Sequence, residues 1–263
     1  MTHIARKRFG QNFLQDYGVI SNIISSIEAK PNDHWIEIGP GQGALTEPLL
    51  QQGVRLDVVE LDRDLVVLLK DKFKHHDNIT IHSADALRFD FSALSAGEKL
   101  RVVGNLPYNI STPLMFHLLA HSDCIDDMFF MLQKEVVNRI CAAPNSKQYG
   151  RLSVMMQYYC DTECLFDVPP ESFDPIPKVM SAIVRLVPHT APPVQVNDLA
   201  KLNTVVTTAF SQRRKTLRNS LKKLIDEQTL IDLGIDPILR AENISLAEFA
   251  KLSNTLVDVP ATI

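Results

Sequence analysis

A glycine-rich turn between a strand pattern and a helix pattern constrains this chain more than any other feature. In Trp35-Ile36-Glu37-Ile38-Gly39-Pro40-Gly41-Gln42-Gly43-Ala44-Leu45-Thr46, an apolar run of strand length leads into closely spaced glycines and then into a helical pattern. Glycine adopts positive φ without a Cβ penalty and lets a ligand approach the backbone, while the start of the following helix favours negative charge. The alternation recurs along the chain. His34–Ile38, Leu56–Leu61, Asn78–His82, Leu100–Gly104 and Met128–Leu132 read as short buried strands. Leu45–Gln52, Leu65–Phe73 and Leu114–Leu119 carry apolar residues at helical spacing, as do Val19, Ile20, Ile23, Ile24 and Ile27 before the first strand. Such a chain is expected to form an α/β fold, a mostly parallel sheet with helices on both faces.

The pattern changes towards the end. A loop rich in proline (Pro169, Pro170, Pro175, Pro177) precedes Val179–Val187, expected as a late strand near the end of the sheet. Beyond Pro188-His189-Thr190-Ala191-Pro192-Pro193 no strand pattern follows, and 198–225 and 245–257 read as helices. Three regions are therefore expected: a basic N-terminal arm at 1–15, a sheet domain at 16–190 and a helical domain at 194–263. About 70 residues is near the lower limit for an independent core, so the helical part is expected to lean on the first domain.

An apolar content of 45% with 22% charged residues excludes disordered, collagen-like and coiled-coil chains. No secretory leader and no membrane-length apolar run is visible, so a cytoplasmic location is expected, with no membrane partner. Cys124, Cys141, Cys160 and Cys164 form no C-x-x-C pair and have no zinc-like His spacing; they read as reduced core thiols, and no metal is expected.

Glu60 lies twenty-one residues beyond Gly39, near the end of the second strand, where a carboxylate can accept both ribose hydroxyls. The glycines also fit the G-x-G-x-x-A spacing of dinucleotide enzymes, and on glycines alone a nicotinamide ligand stays open. Two further acids favour another ligand. Glu37 precedes Gly39 by two positions and can serve an ammonium group; Asp85, after the third strand, can accept a hydrogen bond from an adenine amine. A ligand with ribose, adenine and a charged amino acid is S-adenosylmethionine. Leu61 and Ala86 beside these acids, and Gly41 in the turn, join the expected contacts.

The fourth strand runs into Gly104-Asn105-Leu106-Pro107-Tyr108-Asn109, at the sheet edge where open α/β folds bind ligands. An exocyclic adenine amine is a weak nucleophile because its lone pair is conjugated into the ring. If the Asn105 side-chain oxygen and the Leu106 carbonyl accept its N–H groups, the nitrogen is held pyramidal with its lone pair aimed at a methyl donor. Pro107 fixes the backbone that presents the carbonyl, and Tyr108 offers a ring for a flipped base. No general base is needed before attack. Catalysis then rests on positioning and oriented dipoles. The glycine loop has a better-fitting ligand and no hydride-transfer partner is evident, which strongly disfavours the nicotinamide alternative.

Together, Glu37-Ile38-Gly39-Pro40-Gly41, Glu60-Leu61-Asp62, Asn105 to Thr112, and Phe173-Asp174-Pro175-Ile176-Pro177-Lys178-Val179 resemble the ribosomal RNA adenine N6,N6-dimethyltransferases. Arg8-Phe9-Gly10-Gln11-Asn12-Phe13-Leu14 is similar to the same family, and Gln212 to Leu221 with Arg240 to Asn243 resemble its small-subunit branch. The resemblance implies a Rossmann-like class I methyltransferase sheet of seven strands with a small all-helical C-terminal domain. It implies S-adenosylmethionine as cofactor and dimethylation of two adjacent adenosines near the 3′ end of 16S rRNA in the small (30S) subunit, with a role in subunit biogenesis. It carries over Asn12, Leu14, Gly39, Glu60, Asp85 and Asn105 as cofactor contacts, and sets Phe173 opposite Tyr108 with the target adenine between the rings. Met180 departs from the family, which usually has Asp there. A large-subunit rRNA dimethyltransferase and an assembly factor are the alternative readings, and a monomer is expected.

The net charge of −4 suggests a poor partner for RNA, but it is an average. Residues 1–15 hold Arg6, Lys7 and Arg8, and 211–223 hold Arg213, Arg214, Lys215, Arg218, Lys222 and Lys223, with no acid in either window. Nine of the 27 Lys and Arg lie there, leaving 18 against 31 acids elsewhere. An acidic body with two basic handles orients a protein on phosphate. If 212–224 is a helix, these cations can line one phosphate-facing stripe.

Overall fold

The computed structural model of the chain describes residues 11–256, so Arg6, Lys7 and Arg8 of the expected arm lie outside the described residues. The elements in chain order are β1 (Phe13–Leu14), α1 (Tyr17–Ile27), β2 (His34–Ile38), α2 (Thr46–Gln51), β3 (Arg55–Glu60), α3 (Arg63–Lys72), β4 (Ile79–Ser83), β5 (Leu100–Asn105), α4 (Ser111–Leu119), β6 (Ile125–Gln133), α5 (Lys134–Ile140), α6 (Arg151–Tyr159), β7 (Cys160–Val168), β8 (Phe173–Asp174), β9 (Ser181–Pro188), α7 (Leu199–Phe210), α8 (Leu217–Ser220), α9 (Glu227–Asp232) and α10 (Leu246–Asn254).

Contacts divide the chain into two compact units, residues up to 137 with 163–188, and 138–162 with 189 onwards. The first holds most of a seven-stranded sheet of order β4-β3-β2-β5-β6-β9-β7. From β4 to β6 all pairs are parallel, and β9 joins β6 antiparallel. The late strand lies near the sheet's end as expected: β9 inserts between β6 and β7, and β7, which no apolar run in the sequence marks, forms the edge. After β4 the chain returns past β2 to β5, so the strand order reverses there, and ligands bind beyond the carboxyl ends of strands at such a point.

Side chains alternate between the two faces of a strand. Trp35, Leu56, Val58, Val103, Phe129, Met131 and Ile183 share one apolar cluster with Val19, Ile20, Ile23 and Ile27 of α1, Leu49 and Leu50 of α2, and Leu69 of α3. Their neighbours Ile36, Val59, Val102, Phe130 and Val184 point the other way and are equally buried, as a sheet covered on both faces requires. Each such side chain contributes about 1.5–3 kcal/mol against exposure. Helix α1 starts where Asp16 Oδ1 accepts from the Gly18 and Val19 amides at 2.8 and 3.1 Å, which satisfies two of the free donors at the helix N-terminus. Ser172 Oγ donates to the other oxygen of Asp16 and the Ser172 carbonyl accepts from Gln15 N–H, which aligns β1 antiparallel to β8.

The second unit differs from the stretch expected as the helical domain, because it also contains α6. That helix packs on α7 and α10, which pack on one another, and Phe210 stacks against both Tyr149 and Phe249. All four cysteines are free, but only Cys160 is buried and Cys164 is exposed, so core burial does not describe the set. Among the described residues no group of His, Cys, Asp and Glu could hold a metal, and no helix is long and apolar enough to cross a membrane.

Candidate active site

A cavity of about 360 Å³ opens at the carboxyl ends of β2, β3, β4 and β5. The Gly39 amide donates to the Val59 carbonyl at 3.0 Å with φ of 66°, which turns the chain off β2. Gly41, at φ 58°, meets the Phe13 ring so closely that a Cβ would lie 2.9 Å from it. Residues 11–14 therefore cross the site as a strap. Gln11 Nε2 donates to Asp62 Oδ2 at 3.2 Å, and Asn12 supplies its carbonyl to the Asn105 amide at 3.0 Å.

Thirteen of the expected residues line this one cavity: Asn12, Leu14, Glu37, Gly39, Gly41, Glu60, Leu61, Asp85, Ala86, Asn105, Leu106, Pro107 and Tyr108. Phe173 does not. It is 3% exposed, pairs with Leu14 across β1 and β8, and packs with Val19, Ile20 and Val168 in the apolar cluster. Its ring lies in the apolar core and not on the cavity wall, beside Leu14 of the strap. Gln11, Phe13 and Pro40 also line the cavity; all three lie inside the motifs quoted for the family, but without a role assigned to them, because their place depends on tertiary contacts such as the β1–β8 pairing.

The three acids sit in different environments. Glu37 is 2% exposed and accepts from Thr46 Oγ1 at 2.5 Å, and burial pushes its carboxyl up to about 7. Burial also raises Glu60, against the opposing hydrogen bond from Asp62 N–H at 2.8 Å. Asp85 is half-buried and closes a tight turn, Oδ1 accepting from Leu87 N–H at 3.0 Å. Unfolded, the Glu37 carboxyl titrates near 4.5. The folded chain then binds more protons between 4.5 and about 7, so the stabilisation is complete below that range and is lost as pH rises through it. Denaturant unfolding between about pH 5 and 8 is expected to show a decline that Glu37→Gln makes shallower. An unaltered pH slope in that variant would place the proton elsewhere.

At the end of β5 the Leu106 amide donates to the Met131 carbonyl at 3.2 Å, which leaves the Leu106 carbonyl beyond the ladder. Because the Asn105 Nδ2 is tied to Asn12, the Asn105 Oδ1 points away from the strap. Two acceptors thus come from adjacent residues at the sheet's edge. The Tyr108 hydroxyl shares a hydrogen bond with Ser181 Oγ at 3.1 Å.

The basic segment is not one helix. Residues 211–215 are a turn, α8 spans only Leu217–Ser220, and a second turn follows. The reason is that Leu217 and Arg218 donate their amides to the Leu239 and Pro237 carbonyls, so the backbone pairs with 237–240 instead of continuing helically. Arg213 donates to the Lys147 and Tyr149 carbonyls at 2.8 and 3.2 Å and to Glu242 at 3.1 Å, and Arg218 pairs with Glu227 at 3.3 Å. Arg214, Lys215, Lys222 and Lys223 are exposed and make no ion pair among the described residues. Exposed Lys147 and Arg240, which carry no sequence signal of a patch, are brought to this segment by the Arg213 bond and the Thr216–Arg240 bridge.

The family described as ribosomal RNA adenine dimethylase matches residues 2–258. Proteins named ribosomal RNA small subunit methyltransferase A from Yersinia pestis (strain Pestoides F) and Yersinia pseudotuberculosis (serotype O:3, strain YPIII) are each 58% identical over 256 residues, 97% of this chain and 94% of the relative. Among solved structures, a dimethyladenosine transferase from Plasmodium falciparum matches with TM-score 0.77 at 24% identity, covering 91% of this chain and 95% of that one. The 23S rRNA methyltransferase ErmE matches with TM-score 0.72 at 26% identity, over 93% and 99% of the two chains.

Proposed function

The chain belongs to the ribosomal RNA adenine dimethylase family, and from that premise we propose that it dimethylates N6 of two adjacent adenosines near the 3′ end of 16S rRNA in the small (30S) subunit, acting as a monomer in the cytoplasm. The coarser activity is the family's: S-adenosylmethionine-dependent N6,N6-dimethylation of adenosine in ribosomal RNA. The observation that carries the mechanism is the Asn105–Asn12 hydrogen bond, which commits the Asn105 nitrogen and leaves its oxygen as the acceptor for the target amine.

The residues fit the cofactor. Glu37 would meet its ammonium group, Glu60 the ribose hydroxyls and Asp85 the adenine amine, with Asn12, Leu14, Gly39, Gly41, Leu61 and Ala86 shaping the cavity. When bound, the cofactor supplies an electrophilic methyl group on a sulfonium. Asn105 Oδ1 and the Leu106 carbonyl accept the two N–H groups of the target amine and turn its lone pair out of conjugation. Pro107 holds that carbonyl in place, and Tyr108 carries the flipped base on its ring. After one transfer the nitrogen, cationic and carrying the methyl group, sheds a proton to solvent; it then keeps one N–H for the acceptor pair and a lone pair, so the same residues serve the second.

Arg214, Lys215, Lys222 and Lys223, with Arg6, Lys7 and Arg8 and the newly recognised Lys147 and Arg240, are the proposed phosphate contacts. Arg213 and Arg218 serve first as braces of their own segment. Replacing Arg214 and Lys215 by Glu is expected to weaken subunit binding strongly at low salt and less at high salt, because fewer counterions are released. A salt-independent loss measured by filter binding would indicate a folding defect.

The decisive experiment supplies labelled S-adenosylmethionine with small subunits from a strain lacking the modification, then maps the methylated nucleotides. Paired N6,N6-dimethyladenosines near the 3′ end are expected. Their absence, or preferred modification of large-subunit RNA, overturns the reading.

A further inference from the structure

We propose that Ser181 is a positioning residue for the reaction, holding the Tyr108 ring in the plane on which the target adenine stacks; this rests on the adenosine-methylating reading above. Tyr108 follows β5, and Ser181 opens β9. Because β6 lies between them and β9 runs antiparallel to it, the end of β5 and the start of β9 share one edge of the sheet, two strand spacings apart. That is about 10 Å, a gap that a tyrosine side chain reaching sideways can bridge. The bridge is present: the Tyr108 hydroxyl lies 3.1 Å from Ser181 Oγ.

The two ends of this bond differ in freedom. Tyr108 is half-buried and faces the cavity. Ser181 is 1% exposed, paired in register with Gln133, and the next rung is closed by Lys134 N–H donating to the Met180 carbonyl at 3.0 Å. The hydroxyl of Ser181 is therefore a fixed point. Conjugation keeps a phenolic O–H in the plane of its ring, so a hydrogen bond to a fixed partner sets both the tilt and the rotation of that ring. A ring left free samples orientations in which the stacked base no longer presents its amine to Asn105 and Leu106. Met180 contributes to this rung through its backbone carbonyl, a contribution that does not depend on its side chain.

The test is a double-mutant cycle of Ser181→Ala and Tyr108→Phe, assayed for methyl transfer to small subunits lacking the modification. Tyr108→Phe alters only the half-buried partner and keeps the stacking surface, so it guards against a folding defect at Ser181. Each variant is expected to lose about fivefold to tenfold in kcat, the double variant no more than either alone, with KM for the subunit and cofactor Kd within about twofold of wild type. Ser181→Thr, which keeps the hydroxyl, is expected to restore most of the rate. Additive losses, a wild-type rate for Tyr108→Phe, or a loss confined to KM or to cofactor Kd would overturn the assignment. A wild-type enzyme that leaves small subunits unmodified overturns the substrate reading and this assignment together. Normal wild-type transfer with unaffected variants overturns the assignment alone.

Discussion

Asn105→Ala is expected to lower turnover by on the order of 10²–10³ or more while cofactor affinity stays within about tenfold of wild type. The asymmetry follows from the two ends of one side chain. In the proposed mechanism the Asn105 oxygen accepts from the target amine as charge develops there. Its nitrogen ties the strap at 3.0 Å to the Asn12 carbonyl, and losing that single hydrogen bond costs about 0.5–1.5 kcal/mol. Cofactor binding keeps Glu37, Glu60 and Asp85, whose hydrogen bonds go to Thr46, Asp62 and Leu87 and so do not depend on the Asn105 side chain. Single-turnover kinetics beside an equilibrium titration separates the two effects. A cofactor affinity falling in step with the rate would make Asn105 a binding residue and remove the lone-pair argument.

Gly104→Ala is expected to damage fold and site together. Gly104 pairs with Ile38 of β2 on one side and Phe130 of β6 on the other, and a Cβ there would lie 2.6 Å from the Ile38 carbonyl oxygen. That oxygen belongs to a central strand and cannot step aside without shifting the ladder. Overpacking of this kind costs about 1–3 kcal/mol, and about 2–4 °C of Tm is lost per kcal/mol at this size. The consequence for function is larger, because Ile38 leads directly into the Gly39 turn and Gly104 directly into Asn105. Moving the two strands apart displaces the cofactor turn and the acceptor pair in opposite directions. Both cofactor affinity and turnover are expected to fall at least tenfold, unlike the selective loss at Asn105. A variant with unchanged Tm and cofactor affinity would show that the sheet relaxes around the added methyl.

Much of the site is legible in the residue pattern because its parts are local. The strand His34–Ile38 is read with its observed bounds, and the glycine turn, Glu60, Asp85 and Asn105 each stand at the end of a strand that periodicity locates. Once the strands are known to be parallel neighbours, their ends must converge, and thirteen expected residues meet in one cavity. Edge strand β7 escaped because Cys160–Val168 is only partly buried and has no continuous apolar run. The burial of Phe173 is not legible, because its motif marks proximity to the site without saying which way the ring points, and pairing with Leu14 places it in the core.

The basic segment shows the same division from the other side. Its charge is evident in the amino-acid sequence, yet a local pattern of helix formers cannot reveal that Leu217 and Arg218 give their amides to residues 237–239, or that Arg213 is held by Lys147, Tyr149 and Glu242. By itself the sequence determined the α/β class, the glycine turn and the family, since each rests on local patterns that recur in order along the chain. Only the tertiary structure decided the place of β9 beside β6, the strap over the cavity, the burial of Phe173, the tyrosine–serine brace and which cations stay available to phosphate. Those features join residues tens of positions apart, as Asn12 joins Asn105. They are chosen by the competition of whole-sheet packing and backbone hydrogen bonding, which no local periodicity encodes.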